Sequence, residues 1–112
     1  MGALGNGDKL PVVGAFTCLA GRYSVPGYDC ISEALVLKDG GGAVAVWAPT
    51  GMSVNDWATH LDKDLLRARF EDGETVLGDM ILQSQEDFGV HGFDIFMLRI
   101  YTLLGDPALV VK

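Results

Sequence analysis

The chain reads as an α/β domain built on a mostly parallel sheet, and three observations carry that reading. Two short, nearly continuous apolar runs, Pro11 to Cys18 and Ala43 to Pro49, have the character of strands buried on both faces. The segments between and after them repeat their apolar residues at helical spacing. The resulting order, strand, helix, strand, helices, strand, is the one that lays helical crossovers over a parallel sheet. At 112 residues the chain has room for one domain, residues 1–112, and not for two.

Each element follows from its own residues. The first strand opens at Pro11 and closes before Gly21. Asp29 is placed to cap a helix reaching Lys38, with Ile31, Ala34, Leu35 and Lys38 on one stripe. Asp39-Gly40-Gly41-Gly42 stops it, since glycine supplies the left-handed turn that ends a helix. Ala43 to Ala48 forms the second strand, and Pro49 ends its ladder. Ser53-Val54-Asn55-Asp56 resembles a capping box with Asp in the place of Glu, and it opens the longest helix. Val54, Trp57, Ala58, Leu61, Leu65 and Ala68 make its buried stripe, and Phe70 closes it. A further helix is expected from Thr75 to about Asp87, with Val76, Leu77, Met80, Ile81 and Ser84 inward. A loop holding His91 spans Asp87 to Gly92. Phe93 to Leu104 reads as a last, largely buried helix, and Ala108 to Val111 as a closing strand. Three strands are few for a sheet that usually has about five or six. The sheet is therefore expected to be incomplete, continued by a neighbouring chain or cut from something larger.

Composition narrows the function. The chain is 49% hydrophobic and 21% charged, the balance of a globular core. Fifteen acidic against eight basic side chains give a net charge of −7, so no basic face is available for nucleic acid or an anionic membrane. No uncharged apolar run reaches the roughly 18 residues of a membrane span. Met1 to Asn6 lacks the basic-then-apolar pattern of a signal peptide, and the compartment stays open. Two cysteines, Cys18 and Cys30, are too few for a disulfide scaffold and lack zinc-ligand spacing. The 15 glycines punctuate the apolar segments and form no repeat.

Among residues able to carry chemistry, Cys18 stands out, because open α/β sheets place ligands and reactive groups at the carboxyl ends of their strands. A free thiol is only about 3% thiolate at pH 7, so a nucleophile there requires a base or a local field. The alternative is a buried cysteine acting as a small hydrophobe. Cys30, at a helix start, could have its thiol activated by the helix dipole, and packing is the other role open to it. His60 has Asp56 and Asp64 one turn to either side, the pattern of a solvated charged face. A metal held by His60 and Asp64 would lack a third ligand in sequence reach. His91, in its glycine-flanked loop, is the better-placed of two weak bases. Gly2-Ala3-Leu4-Gly5-Asn6-Gly7 reverses the dinucleotide fingerprint and precedes the first strand, and Gly40-Gly41-Gly42 lacks the lysine of a phosphate loop. Asp62, Asp64, Glu71, Asp72 and Glu74 form a solvated face. No cofactor or metal is implied.

Three segments together carry a resemblance: Leu10-Pro11-Val12-Val13-Gly14-Ala15-Phe16-Thr17-Cys18-Leu19-Ala20-Gly21, then Ile31 to Leu37 leading into Gly40-Gly41-Gly42-Ala43-Val44-Ala45-Val46, and the ending Tyr101-Thr102-Leu103-Leu104-Gly105-Asp106-Pro107-Ala108-Leu109. In this order, from about Leu10 to Val111, they resemble the second half of the gingipain-type cysteine peptidase domain. That resemblance implies a caspase-like three-layer fold, present here as an incomplete C-terminal portion. It implies that Cys18 is the catalytic nucleophile, attacking the scissile carbonyl of a peptide or protein substrate, with its own N–H in the oxyanion hole. Trp47 and Thr50, in the stretch Trp47-Ala48-Pro49-Thr50-Gly51, would line the substrate pocket, although Trp47 equally suits the core.

The departure from the family is the histidine. There it precedes the cysteine, about 50 residues upstream in caspases. Here the 17 residues before Cys18 contain none. The expectation is a fragment with the nucleophile and without its base, inactive alone, and self-associating through the sheet edge that its missing strands would cover. Two alternatives are a non-catalytic interaction module that kept the fold, and a thiol hydrolase served by His91 of a second copy.

Overall fold

A computed structural model describes residues 4–111. The readings of Met1 to Asn6 and of Gly2 to Gly7 extend into residues 1–3, outside the described residues. Seven elements follow in the order β1 (Val12–Gly14), α1 (Ile31–Val36), β2 (Ala45–Pro49), α2 (Asn55–Phe70), α3 (Leu77–Val90), α4 (Phe96–Ile100) and β3 (Tyr101–Leu104). β2 is the central strand. It pairs parallel with β1, Val13 opposite Val46, and antiparallel with β3, Trp47 opposite Leu103.

All five residues of β2 are buried, and their alternation makes three layers. Ala45 and Trp47 face a core shared with Ala58 and Leu61 of α2, Leu77, Ile81 and Phe88 of α3, Met97 of α4 and Tyr101 of β3. Val46 and Ala48 face the other way, onto a smaller cluster with Ala20, Ala43 and, from α1, Leu35 and Val36. The approach to β2 is fixed by Gly42. Its φ is +94°, and a Cβ there would collide with the Leu35 carbonyl oxygen. Asn6 clasps the same residue, its Oδ1 accepting from Gly42 N–H at 2.8 Å and its Nδ2 donating to Gly42 O at 3.0 Å.

The α/β class, the central buried strand and the two long helices agree with the sequence reading, and four details differ. β1 is three residues long, so Cys18 lies four residues past Gly14, in a turn. The expected helix from Phe93 to Leu104 divides into α4 and β3, because a continuous apolar run suits a buried strand as well as a buried helix. The sheet is consequently mixed, with one parallel and one antiparallel pair. The expected closing strand reduces to an isolated bridge, Val110 with Val76, beside the start of α3 and outside the sheet. The expected caps also shift. Cys30 precedes α1, its N–H donating to the Glu33 carboxylate at 2.8 Å. Val54 is the N-cap residue of α2, without a side-chain hydrogen bond. No helix among the described residues is long and apolar enough to cross a membrane.

Candidate active site

The carboxyl ends of parallel β1 and β2 leave the sheet side by side, and each strand continues into a turn. From β1 the chain runs through Ala15, whose N–H donates to Trp47 O at 2.9 Å, to Phe16, Thr17 and Cys18. Leu19 follows with a φ of +61°, and among the described residues it alone takes a positive φ without being glycine. A β-carbon in this region is strained by about 1–3 kcal/mol, and such positions cluster at functional sites. The turn is held to the end of β2 by Leu19 N–H to Gly51 O at 3.2 Å and Gly21 N–H to Pro49 O at 2.9 Å.

Within this clasp the half-buried Cys18 thiol meets the main chain of Ser53 twice. Sγ donates to Ser53 O and accepts from Ser53 N–H, each at 3.4 Å. Ser53 Oγ shares a hydrogen bond with the Tyr101 hydroxyl at 3.2 Å. Tyr101 is buried, and burial pushes its phenol above its ordinary value. The hydrogen bond from Ser53 opposes that shift, while negative charge on Cys18 and on Asp62 adds to it. Asp62 is itself raised by burial.

The structure separates the two pocket residues. Thr50 is half-buried at the rim, its N–H and Oγ1 both donating to Ile100 O at 2.7 and 3.0 Å. Trp47 is 2% exposed and belongs to the core, with its ring centroid 5.8 Å from that of Phe16 and 5.4 Å from that of Tyr101.

The histidines lie together on another part of the molecule. His91 Nε2 is 3.3 Å from Asp64 Oδ2, and the rings of His60 and His91 are 5.1 Å apart. Both rings pack on Phe93. The fold thus brings His91 to the His60–Asp64 pair, the third residue that sequence distance had not supplied. Even so, no three such side chains among the described residues are arranged to hold a metal ion. Among the described residues no histidine hydrogen-bonds Cys18.

The family model for peptidase family C25 matches residues 1–112. The chain belongs to peptidase family C25. Among solved structures, the C25 chain is similar to the crystal structure of the Arg specific cysteine proteinase gingipain R, with a TM-score of 0.85 and 24% identity. The similarity covers 96% of this chain and 27% of that one, so this chain spans about a quarter of its structural relative. At that identity the likeness is one of fold, and it establishes the caspase-like architecture. No curated protein matched the chain.

Sequence reasoning missed Ser53 and Tyr101. It assigned Ser53 to a helix cap and Tyr101 to a helix interior. One signal was available for Ser53: it lies just past the carboxyl end of the second parallel strand, where such sheets place their sites.

Proposed function

We propose that this C25 chain is the nucleophile-bearing part of a cysteine endopeptidase domain, with Cys18 as the attacking residue. One observation carries the reading: a partly exposed thiol on a left-handed turn at the sheet's carboxyl end, met by main-chain groups of the adjacent loop. The Cys18 thiolate would add to the scissile carbonyl carbon, moving the carbonyl π pair onto oxygen. Collapse of that oxyanion expels the amine, which leaves with a proton from a general acid, and water then hydrolyses the thioester. Cys18 N–H has no hydrogen-bond partner among the described residues and is available to the oxyanion. Thr50 takes the role of a rim contact for substrate. Trp47 supports the same loop from beneath.

The general base comes from outside these 112 residues, which leaves the chain alone without about 10²–10⁴-fold of rate. Turnover of fluorogenic peptides, measured with and without the remainder of a gingipain-type domain added as a separate polypeptide, tests this. Turnover is expected to rise by about 10²-fold or more on addition, and to vanish with Cys18→Ala. Rapid Cys18-dependent cleavage by the chain alone would overturn the proposed dependence on an outside base. Cleavage that survives Cys18→Ala would overturn the nucleophile.

The other proposed property is self-association. β1 pairs with β2 on one side, and among the described residues its second edge has no partner strand. Beside that edge runs an apolar groove lined by Val12, Phe16, Leu65, Leu66, Phe70 and Met80. Phe70 is 74% exposed there. A second copy pairing at this edge gives a dimer in sedimentation at tens of micromolar. A clean monomer removes the proposal. The reading as a non-catalytic module is favoured by one observation, the engagement of both histidines elsewhere, and it requires Cys18 to be replaceable without loss of function.

A further inference from the structure

The thiol's surroundings are anchored from the far side of the sheet. Ser53, the residue that meets Sγ, lies in a loop held to α4 and β3 by five contacts. Thr50 supplies two, both to Ile100 O. Val54 N–H donates to Met97 Sδ at 3.5 Å. The other two are made by the Ser53 hydroxyl, which meets Met97 Sδ at 3.8 Å and the Tyr101 hydroxyl at 3.2 Å, at the residue that touches Cys18. The position of that hydroxyl is set by the core, because the Tyr101 ring packs against Trp47 at 5.4 Å and Phe16 at 5.9 Å. Phe16 is two residues before Cys18. One aromatic trio therefore fixes both the approach of the chain to the nucleophile and the hydroxyl that holds the nucleophile's partner.

We propose that Tyr101 is a positioning residue for Cys18, acting through Ser53 to keep the Ser53 main-chain N–H aimed at Sγ. This rests on the reading of Cys18 as the reactive residue. The physical consequence lies in how the two Ser53 contacts respond to ionisation. The thiol is a weak donor, so its bond to Ser53 O is the smaller loss when the proton leaves. The N–H bond gains, because a charged acceptor makes a hydrogen bond roughly twice as strong. Holding Ser53 in place thus keeps on the sulfur a donor whose hydrogen bond strengthens when the sulfur carries charge. Burial first, and Cys18 and Asp62 after it, push the Tyr101 phenol further above its ordinary value, so the hydroxyl is neutral across the pH range of the test.

The test is the rate of Cys18 alkylation by iodoacetamide, followed by mass spectrometry across pH 6 to 9 with Cys30 as internal reference. Tyr101→Phe keeps the ring and removes the hydroxyl, and Ser53→Ala removes the other partner. Each should slow Cys18 at pH 7.5 by roughly three- to ten-fold and displace its pH profile upward, leaving Cys30 unchanged. The double variant should match Ser53→Ala, which also removes the contact with Met97 Sδ, and Ser53→Thr, which keeps a hydroxyl, should retain the native rate. Unchanged Cys18 rates in both single variants would overturn the proposal, as would additive losses. Cys18→Ala turnover, described above, tests the peptidase reading separately. A brace without peptidase activity and a peptidase without the brace therefore give different results.

Discussion

Two regions of this molecule each collect reactive side chains, and they satisfy them in opposite ways. At the α2–α3 contact the carboxylate of Asp64, 2% exposed, meets His91 at 3.3 Å and Arg67 at 3.6 Å. His60 and His91 pack on Phe93, which stacks in turn on Trp57 at 5.6 Å. These groups meet other side chains: the His91 imidazole faces the buried Asp64 carboxylate, and both imidazoles fill space against Phe93. At the carboxyl end of the sheet the Cys18 thiol meets main-chain atoms alone, on a turn that holds a leucine in a glycine-like conformation. Side chains engaged with one another in this way belong to packing. A half-buried nucleophile held by backbone groups keeps its bonding capacity for something that arrives later.

Replacing His91 with alanine breaks the comparison most directly. It leaves the Asp64 carboxylate buried, with Arg67 as its nearest charged partner and Oδ2 already without a hydrogen bond. The expected loss is about 1–3 kcal/mol, read from the urea midpoint at constant slope. Arg67 is 49% exposed, so its ion pair with Asp64 offsets little of this. The Cys18 alkylation rate should stay within about two-fold of native, since the sulfur's hydrogen bonds come from Ser53. A stable variant with a slowed thiol would show instead that His91 serves Cys18, as it would if contributed by a second copy.

The same contrast explains what the sequence revealed. Apolar periodicity located β2, α2 and α3 because these elements bury regular stripes, Ala58, Leu61 and Ala68 of α2 among them. Cys18 could be singled out because it follows an apolar run that reads as a parallel strand, and the family resemblance added its role; β1 itself is only half-buried. Periodicity failed at Phe93 to Leu104, where nearly every residue is apolar and neither period is visible. The change from α4 to β3 at Tyr101 is decided by pairing with β2, a tertiary interaction. Ser53 misled for a related reason. Serine ahead of a helix ordinarily caps it, but here the hydroxyl turns to Tyr101, 48 residues away, and α2 begins without that cap. The histidine cluster depended on a distance of the same kind, with 27 residues between Asp64 and His91.

The smallest effect bears on the turn itself. At an ordinary position glycine is less stable than alanine by about 0.5–1 kcal/mol, because it loses more freedom on folding. Leu19 is different. A β-carbon in the left-handed region costs about 1–2 kcal/mol, which alanine carries and glycine does not. Both truncations remove the same half-buried isobutyl group, so its packing cancels when the two variants are compared. Leu19→Gly should therefore equal or exceed Leu19→Ala in stability, by up to about 1 kcal/mol, in paired thermal or urea unfolding. The usual order, with alanine the more stable, would mean that the chain stores no strain beside its thiol. Cys18 would then sit in an ordinary turn, and the difference between the two regions would reduce to the hydrogen bonds of Ser53. The reversed order would place a standing conformational cost next to the nucleophile and not among the histidines, in a molecule whose described residues otherwise give positive φ to glycine alone.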